Sequence, residues 1–304
     1  MRVTNNMISQ NLLRNLQTSQ EKIQQMQDQA SSGLRINKPS DDPVGIQNVM
    51  RLKNNISSVE QWKSNADAAL GDMNMADGTL GDMTSMLQRV KDLAVQGSNE
   101  TLSADDRKTV ATEVDQLTKQ IKIMANTQIG SKYIFSGTAT DQELIPTDGS
   151  PLSGSKANGD NVTLEIGNQV SIPIYVIGQT LFGISAAEPN GLVPKGLLDT
   201  LDKLSAGLTT NDTTAITASL DDLDTNINNV INQRAGLGAS MNRVTAVQSQ
   251  LDSTSLNLQK SLSDVQSVDM AKAITDFTSQ QTTYKAALSV GAQILQISLV
   301  DYIK

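Results

Sequence analysis

The sequence predicts a mainly α-helical fold, an elongated helical bundle or coiled coil with paired N- and C-terminal helices and one small inserted β domain. Three observations predict it. Apolar residues recur seven apart over two long segments of the 304-residue chain, both chain ends carry helical apolar patterns, and five of the seven prolines fall between residues 130 and 194. A seven-residue repeat is typical of helices that pack along a shared seam.

The N-terminal segment predicts a helix over residues 1–35 and a second helix that begins near Pro43. Gly33 is the expected stop of the first helix. Asp42 before Pro43 is a start signal, because an aspartate caps free amide groups and proline suits the first helical position. The apolar residues of the first helix share one face: Ile8, Leu12, Leu16, Ile23 and Met26.

Two heptad series predict long packed helices in the middle of each half of the chain. The N-terminal series has two apolar positions, whereas the companion position of the C-terminal series includes Arg234, Gln248 and Ser255. A dry two-stranded coiled coil would not tolerate these polar residues, so a multi-helix bundle with one wet flank is expected. The first positions are Val59, Ala66, Met73, Leu80, Leu87 and Ala94, and then Ile216, Leu223, Val230, Leu237, Val244, Leu251, Leu258 and Val265.

Between the two series, caps and alternating residues predict shorter elements. Ser103 with Asp106 predicts a capped helix that doubles back, and Asp212 predicts a cap near the second series. Residues 195–206 predict a short helix. Alternating apolar residues over 162–166 and 170–176 predict a β-hairpin whose two-residue turn is Gly167-Asn168, and residues 133–135 predict a further strand.

The apolar pattern of the last helix, which is expected to begin at about Asp269, predicts a surface for self-assembly. Its end is apolar on nearly all sides, and such a helix must be buried on all sides. One partner helix cannot cover it, but several neighbouring subunits can. The sequence therefore predicts a subunit that finishes folding in a polymer, with an assembly interface on its terminal helices. Its C-terminal members are Ile274, Phe277, Tyr284, Leu288, Leu295, Leu299 and Tyr302, and its N-terminal members are the five residues given above.

The composition argues against several classes of function. The chain has no cysteine and no histidine, and aromatic residues are only 3%. These counts remove cysteine-based sites, the commonest general base and the commonest metal ligand. The net charge of −8 and the lack of a basic stripe argue against nucleic-acid binding. The chain contains no run of 18 apolar residues, so the sequence predicts no membrane-spanning helix. An enzyme that uses Asp, Glu, Lys, Ser or Tyr stays possible, but the composition favours a helical, polar-surfaced interaction protein, and we expect no cofactor and no metal.

Several motifs resemble the bacterial flagellin superfamily. Residues 31–37, Ser-Ser-Gly-Leu-Arg-Ile-Asn, followed by Asp41-Asp42, resemble its N-terminal motif, and residues 87–96 resemble one of its helices. Residues 237–239 with Asn242-Arg243 resemble the start of its C-terminal half. Within the superfamily, residues 40–43 (Ser-Asp-Asp-Pro), the stretch from residue 133 to 140 and the C-terminus look closer to the subunits that join hook and filament.

The resemblance implies a structural, non-catalytic role at the hook–filament junction, as a mechanical adaptor. It implies an inner coiled-coil domain of residues 1–42 and 265–304, a helical rod of residues 43–140 and 192–264, and an outer β-rich domain of residues 141–191. It also implies secretion by the flagellar type III apparatus to the extracellular flagellum, after a transient cytoplasmic stage and without a cleaved signal. The implied partners are flagellin, the first hook-associated protein, other copies of the chain and an export chaperone.

Two other functions and the roles of two sets of residues remain open at this point. The chain could be flagellin, the bulk filament subunit, or a secreted enzyme that uses the β insert, although the absence of histidine removes the zinc-protease form. Arg89, Leu93 and Glu113 match flagellin positions that an innate immune receptor reads, or they only build the rod. Arg234 could form an ion pair between subunits or extend into solvent on the wet flank.

Overall fold

The mainly α fold with a small β insert is confirmed. The structure, a computed structural model, describes residues 2–146, 158–185, 188 and 191–303, and the side chains of all of these except 2–6, 8 and 294–303. The helices are α1 (Arg2–Ser32), α2 (Pro43–Ser98), α3 (Ala104–Ala125), α4 (Gly178–Phe182), α5 (Leu197–Thr210), α6 (Thr213–Gln266) and α7 (Met270–Ile303). The strands are β1 (Gln128–Ile129), β2 (Lys132–Tyr133), β3 (Thr163–Gly167) and β4 (Val170–Pro173).

The chain forms two compact units. The first contains residues 1–58 and 254–304, and the second contains residues 59–253. Helices α2 and α6 contribute to both units, whereas the described part of the β insert belongs to the second. The three-part division drawn from the sequence stays a prediction. Among the described residues, no helix combines the length and apolar character that a membrane crossing needs.

In the first unit, α1 and α7 pack against each other in antiparallel orientation. The Gln280 side-chain amide donates to the Ser19 hydroxyl at 2.9 Å. Nearer the chain ends, Gly291 lies so close to Leu12 that an added Cβ would be 2.7 Å from a Leu12 methyl group. The pairing of the terminal helices is thus confirmed.

The helix ends follow the predicted caps. Gly33 has a φ of +71°, which ends α1 in the left-handed conformation that glycine adopts without strain. The Asp42 carboxylate accepts from the Gly45 amide at 2.8 Å at the start of α2. Ser103, Asp212 and Asp269 accept from the first-turn amides of α3, α6 and α7. These side chains satisfy donors that have no partner within their helices.

The second unit has its core along the two heptad series. The six residues of the α2 series are all buried, and so are the six residues of the α6 series that lie in this unit. The companion position of α6 is wet, as predicted, because Arg234 is exposed and Gln248 is only half-buried.

The β insert differs from the prediction in two details. The hairpin turn is Asn168-Gln169, not Gly167-Asn168, because Gly167 pairs with Val170 after a bulge that starts at Glu165. Strand β2 ends at Tyr133, so the predicted strand over 133–135 is wrong beyond its first residue. Ile134 and Phe135 are instead fully buried, and Phe135 packs edge-to-face on Phe182 with ring centres 6.0 Å apart. Residues 147–157 of the predicted outer domain lie outside the described residues.

Helix α5 is longer than predicted. It continues past residue 206 to Thr210, and Asn211 then ends it with a φ of +62°. Asparagine tolerates this left-handed conformation better than most residues, so it replaces the glycine that sequence rules expect at such a stop.

Candidate functional site: the terminal helix pair

The predicted assembly residues form a stripe that the α1–α7 pairing covers only in part. Ile274 and Leu288 keep 54% and 44% of their surface exposed. The predicted members Ile8, Leu295, Leu299 and Tyr302 lie outside the residues whose side chains are described. The others are half-buried: Leu12, Leu16, Ile23, Met26, Phe277 and Tyr284.

The same helices expose apolar side chains that the sequence analysis missed. Leu13 on α1 is 57% exposed and Val290 on α7 is 53% exposed. Leu13 follows Leu12 directly, and adjacent helical residues cannot face the same neighbour. The sequence therefore did contain a signal for Leu13, which is a second apolar residue next to the stripe. A pattern that follows only one face of the helix does not include it. Together these side chains leave apolar surface on the helix pair uncovered.

A clasp joins the two chain segments at the base of the helix pair. Leu34 and Ser267 form an antiparallel bridge, and the Arg35 amide donates to the Gln266 carbonyl at 2.7 Å. The Arg35 guanidinium also donates to the Val265 carbonyl at 2.8 Å. Ile36 is fully buried beneath these contacts. The clasp thus fixes where residues 33–36 meet residues 265–268, although they lie at opposite ends of the sequence.

The acidic pair after the clasp has a structural role. Asp41 accepts from the Asn37 and Lys38 amides at 3.0 and 2.8 Å, and Asp42 caps α2. The Gly45 amide, and then the Arg35 guanidinium at 3.3 Å, lower the pKa of the Asp42 carboxyl from its ordinary 3.8. Both groups favour the charged form, as hydrogen bonds and nearby cations do. The predicted capping role of Asp42 is confirmed.

The three residues named for receptor recognition lie on α2 and α3 of the second unit. The Arg89 guanidinium donates to one Glu113 oxygen at 3.0 and 2.7 Å on the protein surface. Leu93 is only 2% exposed and packs in the core. The structure therefore brings Arg89 and Glu113 together but does not present the Leu93 side chain beside them. Receptor recognition stays a prediction.

Comparisons with known proteins place these helices in a family. Residues 3–140 match the family model of the bacterial flagellin N-terminal helical region, and residues 220–303 match that of the C-terminal helical region. The chain belongs to the bacterial flagellin family. It is a structural subunit of the bacterial flagellum, as the motifs had indicated.

Relatives in this family carry two different names. The chain is 29% identical to a flagellin of Bacillus subtilis, with 97% of each chain covered. It is 27% identical to flagellar hook-associated protein 3 of Escherichia coli, with all of each chain covered. A solved Vibrio parahaemolyticus structure, described as a flagellar hook-associated protein, shares the fold with a TM-score of 0.65, at 22% identity over 75% of this chain and 100% of that one.

The two family regions coincide with the helices rather than with the insert. The N-terminal region runs from α1 through α3 to β1 and β2, and the C-terminal region covers most of α6 and all of α7. Strands β3 and β4 and helices α4 and α5 lie between the two matches. The flagellin-family helices therefore include both members of the terminal pair and both parts of the clasp.

Proposed function

We propose that this flagellin-family chain is the subunit that joins the flagellar hook to the filament and acts there as a mechanical adaptor. The observation that carries the proposal is the α1–α7 pair, which leaves apolar side chains such as Leu13 and Ile274 exposed. Exposed apolar surface of this kind marks a binding site for another protein. We assign that site to the terminal helices of neighbouring copies and of the adjoining flagellar subunits.

The proposed neighbours are flagellin on one side and the first hook-associated protein on the other. The full-length similarity to a hook-associated protein 3 supports this choice, since the alignment leaves no part of either chain uncovered. We also propose export through the growing appendage, with a chaperone that masks the C-terminal helix until assembly. Masking is physically useful because a free apolar helix promotes aggregation.

The second candidate function is that of flagellin, the bulk filament subunit. It is favoured by the similarity to the Bacillus subtilis flagellin, whose 29% identity slightly exceeds the 27% identity to hook-associated protein 3 of Escherichia coli over nearly the same length. Both functions use the same terminal helix pair. They differ in where the subunit sits and in how many copies one flagellum contains.

Immunogold electron microscopy of sheared flagella from the source bacterium tests the proposal. An antibody against residues 141–191 reports position, because this stretch lies outside both family regions. We expect gold in a short collar between hook and filament. Gold along the whole filament would establish the flagellin function instead, and flagella without label would contradict both. The same flagella treated with pre-immune serum supply the background control.

A further inference from the structure

We infer that a ladder of polar pairs between α2 and α6 fixes the heptad register of the second unit, with Arg234 and Asp77 as its central pair. This inference concerns how the subunit folds and does not depend on the junction function. The ladder consists of four pairs: Lys63–Asp252, Asp67–Gln248, Asp77–Arg234 and Lys91–Asp224.

The apolar seam alone leaves the register open. Helix α6 presents a branched aliphatic residue every seven positions from Ile216 to Leu251, and these residues have similar volumes. The facing series on α2 is apolar at every seventh position from Val59 to Ala94. A shift of one heptad, about 10 Å along the axis, therefore places apolar side chains against apolar side chains again. Repeating seams of this kind need a polar feature to select one register.

The four pairs all belong to one register. Lys63 and Lys91 are 28 residues apart on α2, and their partners Asp252 and Asp224 are 28 residues apart in the opposite direction on α6. Both ion pairs have N–O distances of 2.6 Å. Asp67 and Gln248 follow the same antiparallel alignment, and Arg234 lies opposite Gly81 in it and reaches Asp77 one turn away. The ladder thus spans four heptads of both helices.

Arg234 is the member that binds with two nitrogens. Its Nε and Nη2 atoms donate to the two oxygens of Asp77 at 2.7 and 3.1 Å. Gly81 lies one turn beyond Asp77, and a Cβ there would be 3.4 Å from the guanidinium carbon. The absent side chain leaves the space that the guanidinium occupies. Asp77 and Gly81 together form a notch that fits a planar cation.

A shift of one heptad would break every pair at once. Ile227 or Met241 would then take the position of Arg234 beside Asp77, and Lys63 would face Thr245 or Gln259. Each surface pair contributes little stability by itself. A shifted register, however, loses all four polar pairs together. The ladder therefore favours one alignment of the two helices even though no single pair is strong.

The experiment measures the register directly through two spin labels. The chain has no cysteine, so Asn74→Cys and Asn228→Cys give two unique, exposed attachment sites, one on α2 and one on α6. The two sites lie at different heights along the seam. A shift of one heptad therefore moves the electron–electron distance by up to about 10 Å, which double electron–electron resonance resolves.

The test variant removes the three cations of the ladder with Lys63→Gln, Lys91→Gln and Arg234→Leu. We expect a second distance, displaced from the first by up to about 10 Å. The matched control removes three exposed cations outside the ladder, with Lys108→Gln, Lys119→Gln and Arg243→Leu, and keeps one distance. A test variant with the single original distance would overturn the inference.

A charge-swapped variant keeps the inference testable if the cation-free variant unfolds. It exchanges the residues of the three ion pairs: Lys63→Asp with Asp252→Lys, Asp77→Arg with Arg234→Asp, and Lys91→Asp with Asp224→Lys. Because pairing rather than residue identity selects the register, we expect the original single distance. A displaced or doubled distance in this variant would also overturn the inference.

Discussion

At the scale of single residues, Arg107 is a buried cation that holds two turns of the second unit in place. Its guanidinium donates to the Gly97 carbonyl at 2.8 Å, in the last turn of α2, and to the Asn99 carbonyl at 2.7 Å, just beyond the end of that helix. It also donates to the side chain of Asn211, between α5 and α6. Only 4% of the residue is exposed. One side chain therefore satisfies acceptors from two separate helix ends.

Replacing Arg107 by leucine should destabilise the second unit by about 2–4 kcal/mol, because the buried Gly97 carbonyl and the part-buried bonds to Asn99 and Asn211 lose their donor. Urea denaturation followed by circular dichroism measures the change. Lys108→Leu on the same helix is the matched control, since Lys108 is exposed, and it should change stability by less than about 0.5 kcal/mol. Equal midpoints for the two variants would show that Arg107 does not hold the turns.

The Asp42 carboxyl should make the stability of the folded chain depend on pH in the acid range. Its pKa is lower in the folded chain than in the unfolded chain. Its contribution is therefore fully present above the unfolded pKa and is lost as the pH falls through the folded pKa. Asp42→Asn keeps a capping side chain but cannot titrate, so its stability should fall less between about pH 5 and pH 2.

Thermal unfolding across that pH range measures the effect of Asp42. Asp276→Asn, which changes an exposed carboxylate on α7, serves as the control and should follow the native chain. Native and Asp42→Asn curves that run parallel would contradict the assigned cause.

At the scale of the elements, the close approach at Gly291 makes the α1–α7 pair sensitive to added volume. A β-branched side chain there would meet Leu12, and overpacking costs about 1–3 kcal/mol. Gly291→Val should therefore reduce incorporation into flagella by about tenfold or more. Quantitative immunoblotting of sheared flagella measures this.

Gly236→Val provides the comparison for Gly291→Val, because an added Cβ at Gly236 meets no atom within 4 Å. Both changes place valine in a helix, so the intrinsic helix cost is the same. Native incorporation of both variants would contradict the close packing of α1 on α7.

The sequence was sufficient for the elements whose signals are local or periodic. The heptad series and the caps at Asp42 and Ser103 follow from spacing and cap chemistry, and the structure confirms them. The turn of the hairpin was placed one residue too early, because a bulge near Gly167 shifts the pairing without any strong sequence signal. The partner of Arg234 could not be chosen either, since Asp77 lies 157 residues away.

The candidate site shows the same division. The stripe on α1 and α7 was predictable because one helical face repeats in the sequence. The clasp between Arg35 and residues 265–266 was not predictable. Its acceptors are backbone carbonyls, which every residue has, so the sequence does not show which residues accept. The one-face pattern of α1 did not include the exposed Leu13, because such a pattern assumes that the helix has a single neighbour.

At the scale of the whole molecule, the two ends of the chain should be dispensable for folding but not for assembly. We expect a chain without residues 1–40 and 265–304 to remain soluble and helical, because the second unit retains its complete core. It should no longer join hooks to filaments, since the terminal helix pair is gone. Circular dichroism and electron microscopy of complemented cells measure the two properties. Normal flagella on cells that carry only the truncated chain would show that the terminal helices do not mediate assembly.

The pairing of α1 with α7 also orders the events of folding in time. The two helices that contact each other at Ser19 and Gln280 are separated by almost the whole chain. Contacts between such distant residues require a large loop to close, and they form slowly. Whenever the chain emerges N-terminus first, α1 must wait until the last residues arrive, while the second unit already has the residues for its core. The α1–α7 pair is therefore the last part of the subunit to form.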